Sequence, residues 1–264
     1  MSDPTHKPTH TPSPPAAAPA ATLAGRLQAA PPDEARSIPA RREELVMLRE
    51  PRGQFAEQFR SLRNSIHALN PDGASHTLVM TSAVRGEGKT VASLNLAIAM
   101  GEMQGTQVLV VDADLHNPSL ERYLELPPRK GLSEVLSGTL SLDQALRTTS
   151  IPGVSILGAG SLPANPSELL GSDRMRAVLN RVKQRFSYVI IDTPQASTIS
   201  DASLLGAMAD GILLVVRLMT TPRHMVQQTY NTLEALGGNV LGTCLTGAHL
   251  KDSASRYAVR EEDF

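Results

Sequence analysis

Between residues 83 and 90 the chain reads Ala83-Val84-Arg85-Gly86-Glu87-Gly88-Lys89-Thr90. Two glycines, a lysine and a hydroxyl at this spacing suit the grip of a polyphosphate. Gly86 and Gly88 let the backbone curl so that successive N–H groups aim at one anion. A helix starting near Thr90 adds the positive end of its dipole. Lys89 brings an ammonium to the terminal phosphates, and the Thr90 hydroxyl is a ligand for Mg²⁺. The segment departs from the phosphate-loop pattern only at Ala83, which replaces the first glycine. The residues expected to line a nucleotide are Val84, Arg85, Gly86, Glu87, Gly88, Lys89, Thr90 and Val91. A glycine-rich turn that merely joins strand to helix would share this composition, so the loop does not decide the matter alone.

Three aspartates narrow the choice. Leu109-Val110-Val111-Asp112-Ala113-Asp114 puts two carboxylates just past an apolar strand, and Ile190-Ile191-Asp192-Thr193-Pro194 puts a third past another. Ligands of open α/β sheets bind at the carboxyl ends of strands, the edge on which the loop after the first strand also opens. Any one of these aspartates could be a helix cap or a turn residue. Three near a phosphate loop repel one another unless a cation sits between them, and Mg²⁺ with a nucleotide supplies it.

These groups need strands and helices in alternation to position them, and the hydrophobic pattern provides them. Apolar strands are expected at 77–81, 107–111, 154–157, 188–191, 212–216 and 240–245. Helices are expected at 54–69, 90–103, 132–136, 142–146, 167–186 with a break near Gly171, and 222–236. Around Leu45–Leu48 the chain reads as extended. Near-continuous apolar strands separated by helices mean an α/β fold, a P-loop NTPase with a mostly parallel sheet covered by helices on both faces. Residues 1–40 hold nine of the 19 prolines and no aromatic residue, the composition of a disordered tail. Residues 41–75 are expected as a linker and N-terminal interface helix, 76–250 as the P-loop domain, and 251–264 as a flexible tail.

Composition excludes several classes. The net charge of -1 points to no nucleic acid partner. The single cysteine, Cys244, rules out a disulfide framework and a cysteine-based zinc site. No stretch approaches the roughly 18 apolar residues of a membrane span. With no signal peptide in the sequence either, a cytoplasmic location is expected.

The combined motifs resemble the bacterial tyrosine kinases of capsule and exopolysaccharide synthesis, relatives of the MinD/ParA ATPases. The likeness runs from about Leu45 to Leu245. Beyond the loop it rests on VLVVDADLHNP at 108–118, NPSELL at 165–170, SYVIIDTP at 187–194, Asp201-Ala202 and ADGILLVVR at 209–217. The resemblance implies ATP and Mg²⁺ as cofactors. Thr90, Asp112 and Asp192 would hold the metal, and Lys89 would steady the transferred phosphoryl group. Asp114 would be the base for a tyrosine hydroxyl. Glu57, Arg60 and Arg63, spaced three apart on one helix face, match the family's ring interface and imply a homo-oligomer. Family members without membrane spans work with a membrane-bound polysaccharide copolymerase or chain-length regulator. By that resemblance the chain would be recruited to the inner face of the plasma membrane and would act on protein substrates.

The match departs from the family in places. Arg85 stands where proline is usual, His116 where arginine is, Gln195 where a second proline is, and Thr246 where an asparagine reads the adenine base. The C-terminal tyrosine cluster is reduced to Tyr257, the candidate phosphosite. Two alternatives stay open. In a MinD/ParA-type ATPase switch water would be the acceptor, although the extra lysine of those proteins is here Val84. In a non-catalytic adaptor nucleotide would be structural, which the lone Tyr257 and Thr246 favour.

Overall fold

The computed structural model describes residues 42–196 and 200–248. After a 3-10 turn at Arg42–Glu44 come α1 (Val46–Arg49), α2 (Gln54–Ala68), β1 (His76–Ser82), α3 (Lys89–Gly101) and β2 (Val108–Asp112). Then follow α4 (Leu120–Tyr123), α5 (Leu132–Ser137), α6 (Leu142–Ala145), β3 (Arg147–Thr148), β4 (Val154–Leu157), α7 (Pro166–Leu170) and α8 (Asp173–Lys183). The remainder is β5 (Tyr188–Asp192), α9 (Asp201–Gly206), β6 (Gly211–Arg217), α10 (Arg223–Ala235) and β7 (Val240–Thr246).

The seven strands form one sheet in the order β3-β4-β2-β5-β1-β6-β7. All neighbours pair in parallel except β3 and β4. Alternation along each strand divides its side chains between two cores. Leu78, Met80, Val108, Val110 and Ile190 enter one, while Val79, Leu109, Val111, Val189 and Ile191 enter the other. This double burial is why these strands are almost wholly apolar, as the sequence pattern predicts. The connection from β1 to β2 passes over β5, so α3 is carried across the end of β5. That crossover sets the phosphate loop and Asp192 beside each other.

One expectation is overturned. Residues Val46–Arg49 are helical, not extended. Leu45 and Met47 are buried in the same core as α3, and the Met47 N–H donates to Asn95 Oδ1 at 3.0 Å. Asn95 Nδ2 donates in turn to Glu44 O at 3.2 Å. Tertiary contacts fold this short turn, and four residues carry too little periodicity to reveal it. The two-residue strand β3 and the short helices α4 and α9 fall below the same threshold. The expected tails at 1–40 and 251–264 lie outside the described residues.

Candidate active site at the rim of the sheet

The loop between β1 and α3 takes the curled form its glycines permit. Gly86 and Gly88 both have φ of 86°, in the left-handed region where a side chain is strained. Gly88 directly precedes α3, so the first N–H groups of that helix open toward the loop. Lys89 is nearly buried, and its Nζ donates to Ser82 Oγ at 3.1 Å. Ser82 donates to Val84 O at 2.7 Å. Arg85 is exposed, and the Val91 side chain packs on the core behind the loop. The Val84 N–H is taken by Glu87 Oε2 at 2.8 Å. The Thr246 hydroxyl donates to Glu87 O at 2.7 Å, so this residue supports the loop from β7.

The strand register brings two of the three aspartates together. Asp112 and Asp192 are directly paired across β2 and β5, and each is 1% exposed. Asp192 accepts from the Thr90 hydroxyl at 2.5 Å and from Ser93 Oγ at 3.2 Å. Asp112 accepts from the Ser119 and Leu120 N–H groups, each at 3.0 Å, and from the Asp114 N–H at 3.2 Å. Asp114 sits further out, its carboxylate accepting from the Asn117 N–H at 2.9 Å. Ser119 Oγ lies 3.1 Å from Thr90 Oγ1.

A family model described as an AAA domain matches residues 76–240. The chain is 31% identical over 221 residues to Tyrosine-protein kinase YwqD of Bacillus subtilis (strain 168), spanning 83% of this chain and 93% of that protein. The kinase domain of Escherichia coli tyrosine kinase ETK superposes with a TM-score of 0.73 at 30% identity, over 78% of this chain and 82% of that one. The chain belongs to the bacterial tyrosine kinases. The septum site-determining protein MinD from Pyrococcus horikoshii OT3, solved as its Mg-ADP complex, is a more distant neighbour of this kinase. Its TM-score is 0.56 at 26% identity, over 65% of this chain and 70% of that one.

The electrostatics of the kinase's rim follow from its burial. Burial, reinforced by the neighbouring Asp192, pushes Asp112 up to about 8 despite the Leu120 and Ser119 backbone donors. Burial also pushes Asp192 up, to about 6, against the opposing pull of Thr90 and Lys89. Burial lowers the Lys89 ammonium, while Asp192, Asp114 and Glu87 act the other way. The two paired carboxylates therefore hold a proton too readily for their type. A cation beside them would relieve that cost, which is the donor chemistry Mg²⁺ requires. Among the described residues no group of three or more His, Cys, Asp or Glu could hold a metal ion unaided. Phosphate oxygens and the Thr90 hydroxyl would have to complete the set.

The other predicted residues fall elsewhere. Arg60 binds Glu102 through two nitrogens at 2.8 and 2.6 Å, and also Glu57 at 2.6 Å. Arg63 donates to Ala99 O at 3.0 Å and to Glu102 at 3.3 Å. Both arginines thus fasten α2 to the C-terminal end of α3, where cations are favoured. Tyr257 lies outside the described residues.

Several rim residues are given no role by the sequence reading. Ser93 is four positions after Lys89 and so on the same helix face, a spacing that marks it. His116 Nε2 lies 3.0 Å from Asp201 Oδ2, and Ser167 donates to the other oxygen of Asp201. Asp201 is fully buried. This contact ties the loop after β2 to α7 and α9, and no sequence spacing signals it.

Proposed function

We propose that this kinase transfers the γ-phosphoryl group of ATP to tyrosine and serves capsule or exopolysaccharide synthesis and export. The observation that carries the reading is the link between Thr90 at the mouth of the loop and Asp192, with Asp112 paired beside it. A phosphate cradle, a metal-ready hydroxyl and two paired carboxylates converge there. The loop N–H groups and Lys89 bind and orient the triphosphate. Thr90, Asp112 and Asp192 would hold Mg²⁺, which supplies charge neutralisation at the phosphates when bound. Asp114, standing further out than the pair, takes the proton of an incoming tyrosine hydroxyl as its oxygen bonds to phosphorus and the ADP oxygen leaves.

The acceptor is narrowed by burial. The chain has four tyrosines. Tyr123 and Tyr188 are buried. Tyr230 lies within α10 with its ring packed on the core and its hydroxyl donating to Glu234 at 2.5 Å. Tyr257 of a neighbouring copy, or a separate protein substrate, is the better acceptor. Among the described residues no helix is long and apolar enough to cross a membrane. A membrane-bound copolymerase or chain-length regulator would then bring the kinase to the inner face of the plasma membrane. Glu57, Arg60 and Arg63 lie on one helix at the subunit surface and would contribute to a homo-oligomeric ring.

Mass spectrometry of the full chain with and without Mg-ATP tests this reading. Phosphotyrosine is expected in wild type, is lost in Lys89→Met, and is reduced in Tyr257→Phe unless a substrate protein is added. Phosphate release with no labelled tyrosine on the chain or on added proteins would replace the reading with that of an ATPase.

A further inference from the structure

Inside the phosphate loop sits a carboxylate, Glu87, that is 1% exposed although its neighbours Arg85 and Gly86 are open to solvent. Both its oxygens are used. Oε2 accepts from the Val84 N–H at 2.8 Å, within the loop itself. Oε1 accepts from the Arg217 N–H at 3.0 Å and from the Thr221 hydroxyl, at and just beyond the end of β6. Arg217 returns a contact, its Nη1 donating to Gly86 O at 3.3 Å.

A negative charge beneath an anion cradle works against the anion, so electrostatic attraction does not explain it. Burying a carboxylate is costly unless donors surround it, and three donors from two separate segments do so here. The geometry is that of a brace. β1 and β6 are adjacent parallel strands. Glu87 ties the loop after one to the segment after the other. It also takes up the Val84 N–H from within the loop.

We propose that Glu87 is a positioning residue, anchored at Thr221, that presets the curvature of the phosphate loop for ATP. This rests on the reading that the loop binds ATP. A carboxylate supplies two acceptor oxygens for three donors. Glutamine offers one oxygen and an amide N–H₂ that would face a donor.

The test uses the full chain, Mg-ADP calorimetry and steady-state kinetics. Glu87→Ala is expected to weaken Mg-ADP binding about ten- to a hundredfold, the range spanned by lost charged hydrogen bonds. KM for ATP should rise in step while kcat stays within about threefold, because the brace acts on binding geometry. Thr221→Val alters no atom of the loop, yet should weaken binding about three- to tenfold. The double variant should be no weaker than Glu87→Ala, since both act through one contact. If Glu87→Ala does not fold, Glu87→Gln takes its place with an intermediate effect. Binding within about twofold of wild type in the Glu87 variants, or full additivity with Thr221→Val, overturns the proposal. Hydrogen exchange without nucleotide tests the brace separately from the ATP reading. The Val84 and Arg217 amide protons should exchange at least about tenfold faster in the Glu87 variants, and unchanged exchange overturns it.

Discussion

Two buried acidic centres sit on the same edge of this sheet, and their chemistry runs in opposite directions. Asp112 and Asp192 face each other across β2 and β5, and burial drives both upward, to about 8 and about 6. Glu134 lies beside the end of β4, on α5, and is also buried. Burial pushes it upward too, but donors from Ser161, Gly131 and Ser133 outweigh that and hold it at about 2. Its Oε2 accepts from the Gly131 N–H at 2.7 Å and from Ser133 Oγ at 3.1 Å, and its Oε1 from the Ser161 N–H at 3.2 Å. Gly160 packs against it so closely, at φ of 82°, that an added Cβ would collide with Oε2. The Glu134 site is closed and satisfied. The aspartate pair is left with a cost that a bound cation would relieve. A buried carboxylate with its donors in place is architecture, whereas a pair driven upward marks chemistry.

The largest test of this contrast is on activity. Under the proposed reading Asp192→Asn and Asp112→Asn each remove a charge that Mg²⁺ would need, and tyrosine phosphorylation should fall by about 10²–10³-fold. At neutral pH Asp112→Asn should not lower the melting temperature of metal-free protein, because relief of the repulsion between the paired carboxylates outweighs the amide nitrogen that must face a backbone donor. Glu134→Ala should do the reverse. Three donors lose their acceptor, and denaturant titration should show a loss of about 2–4 kcal/mol. If Glu134→Ala folds normally yet loses phosphorylation as fully as Asp192→Asn, the division between the two centres fails.

A second test uses pH, and its sign follows from linkage. Asp112 and Asp192 have folded values above those of an unfolded aspartate, so the native state binds more protons. Their contribution to stability is therefore greatest in acid and declines as pH rises from the unfolded value near 4 toward about 8. Metal-free wild type should lose about 1–3 kcal/mol over that range relative to Asp112→Asn, as followed by thermal denaturation. Excess Mg-ADP should flatten the decline, because binding favours the ionised pair. A pH slope identical in wild type and Asp112→Asn would remove the claim that the pair is electrostatically strained.

The two centres also differ in how far residue type and spacing alone reveal them. The loop at 83–90, Asp112, Asp114 and Asp192 are contiguous motifs at strand ends, so type and spacing pick them out as candidates. The parallel sheet is equally legible in the sequence, since strands buried on both faces are apolar at most positions. The role of Glu134 is not legible there, and Asp201, although it stands in a motif, does not show its partners. Their partners come from other segments: Ser161 follows β4 and stands 27 residues from Glu134, and His116 is 85 residues from Asp201. Glu87 is placed in the loop by its backbone, yet the use of its side chain depends on Thr221, 134 residues away. The spacing of Arg60 and Arg63 puts them on one helix face, the family resemblance implies that this face meets a neighbour, and within the subunit both engage Glu102. Spacing identifies a helix face but not what that face meets.

The smallest expected effect concerns the acid limb of the satisfied centre. Glu134 has a folded value depressed from 4.5 to about 2. Its contribution is thus fully present above the unfolded value and is lost as pH falls through about 2. Glu134→Gln keeps the side-chain shape and one acceptor but cannot titrate. At neutral pH it should cost about 1–2 kcal/mol, less than Glu134→Ala, because an amide nitrogen must turn toward one of the donors. On acidification the gap between wild type and Glu134→Gln should close, and near pH 2 the two should unfold at similar temperatures. The gap between wild type and Asp112→Asn should shrink over a different range, as pH falls from about 8 toward 4, and from the other side, with the variant the more stable at high pH. Two buried carboxylates on one sheet edge would then converge on their amide variants in acid from opposite directions. Stability gaps of the same sign in both variants at neutral pH would mean that the pairing of Asp112 with Asp192 does not set the two centres apart.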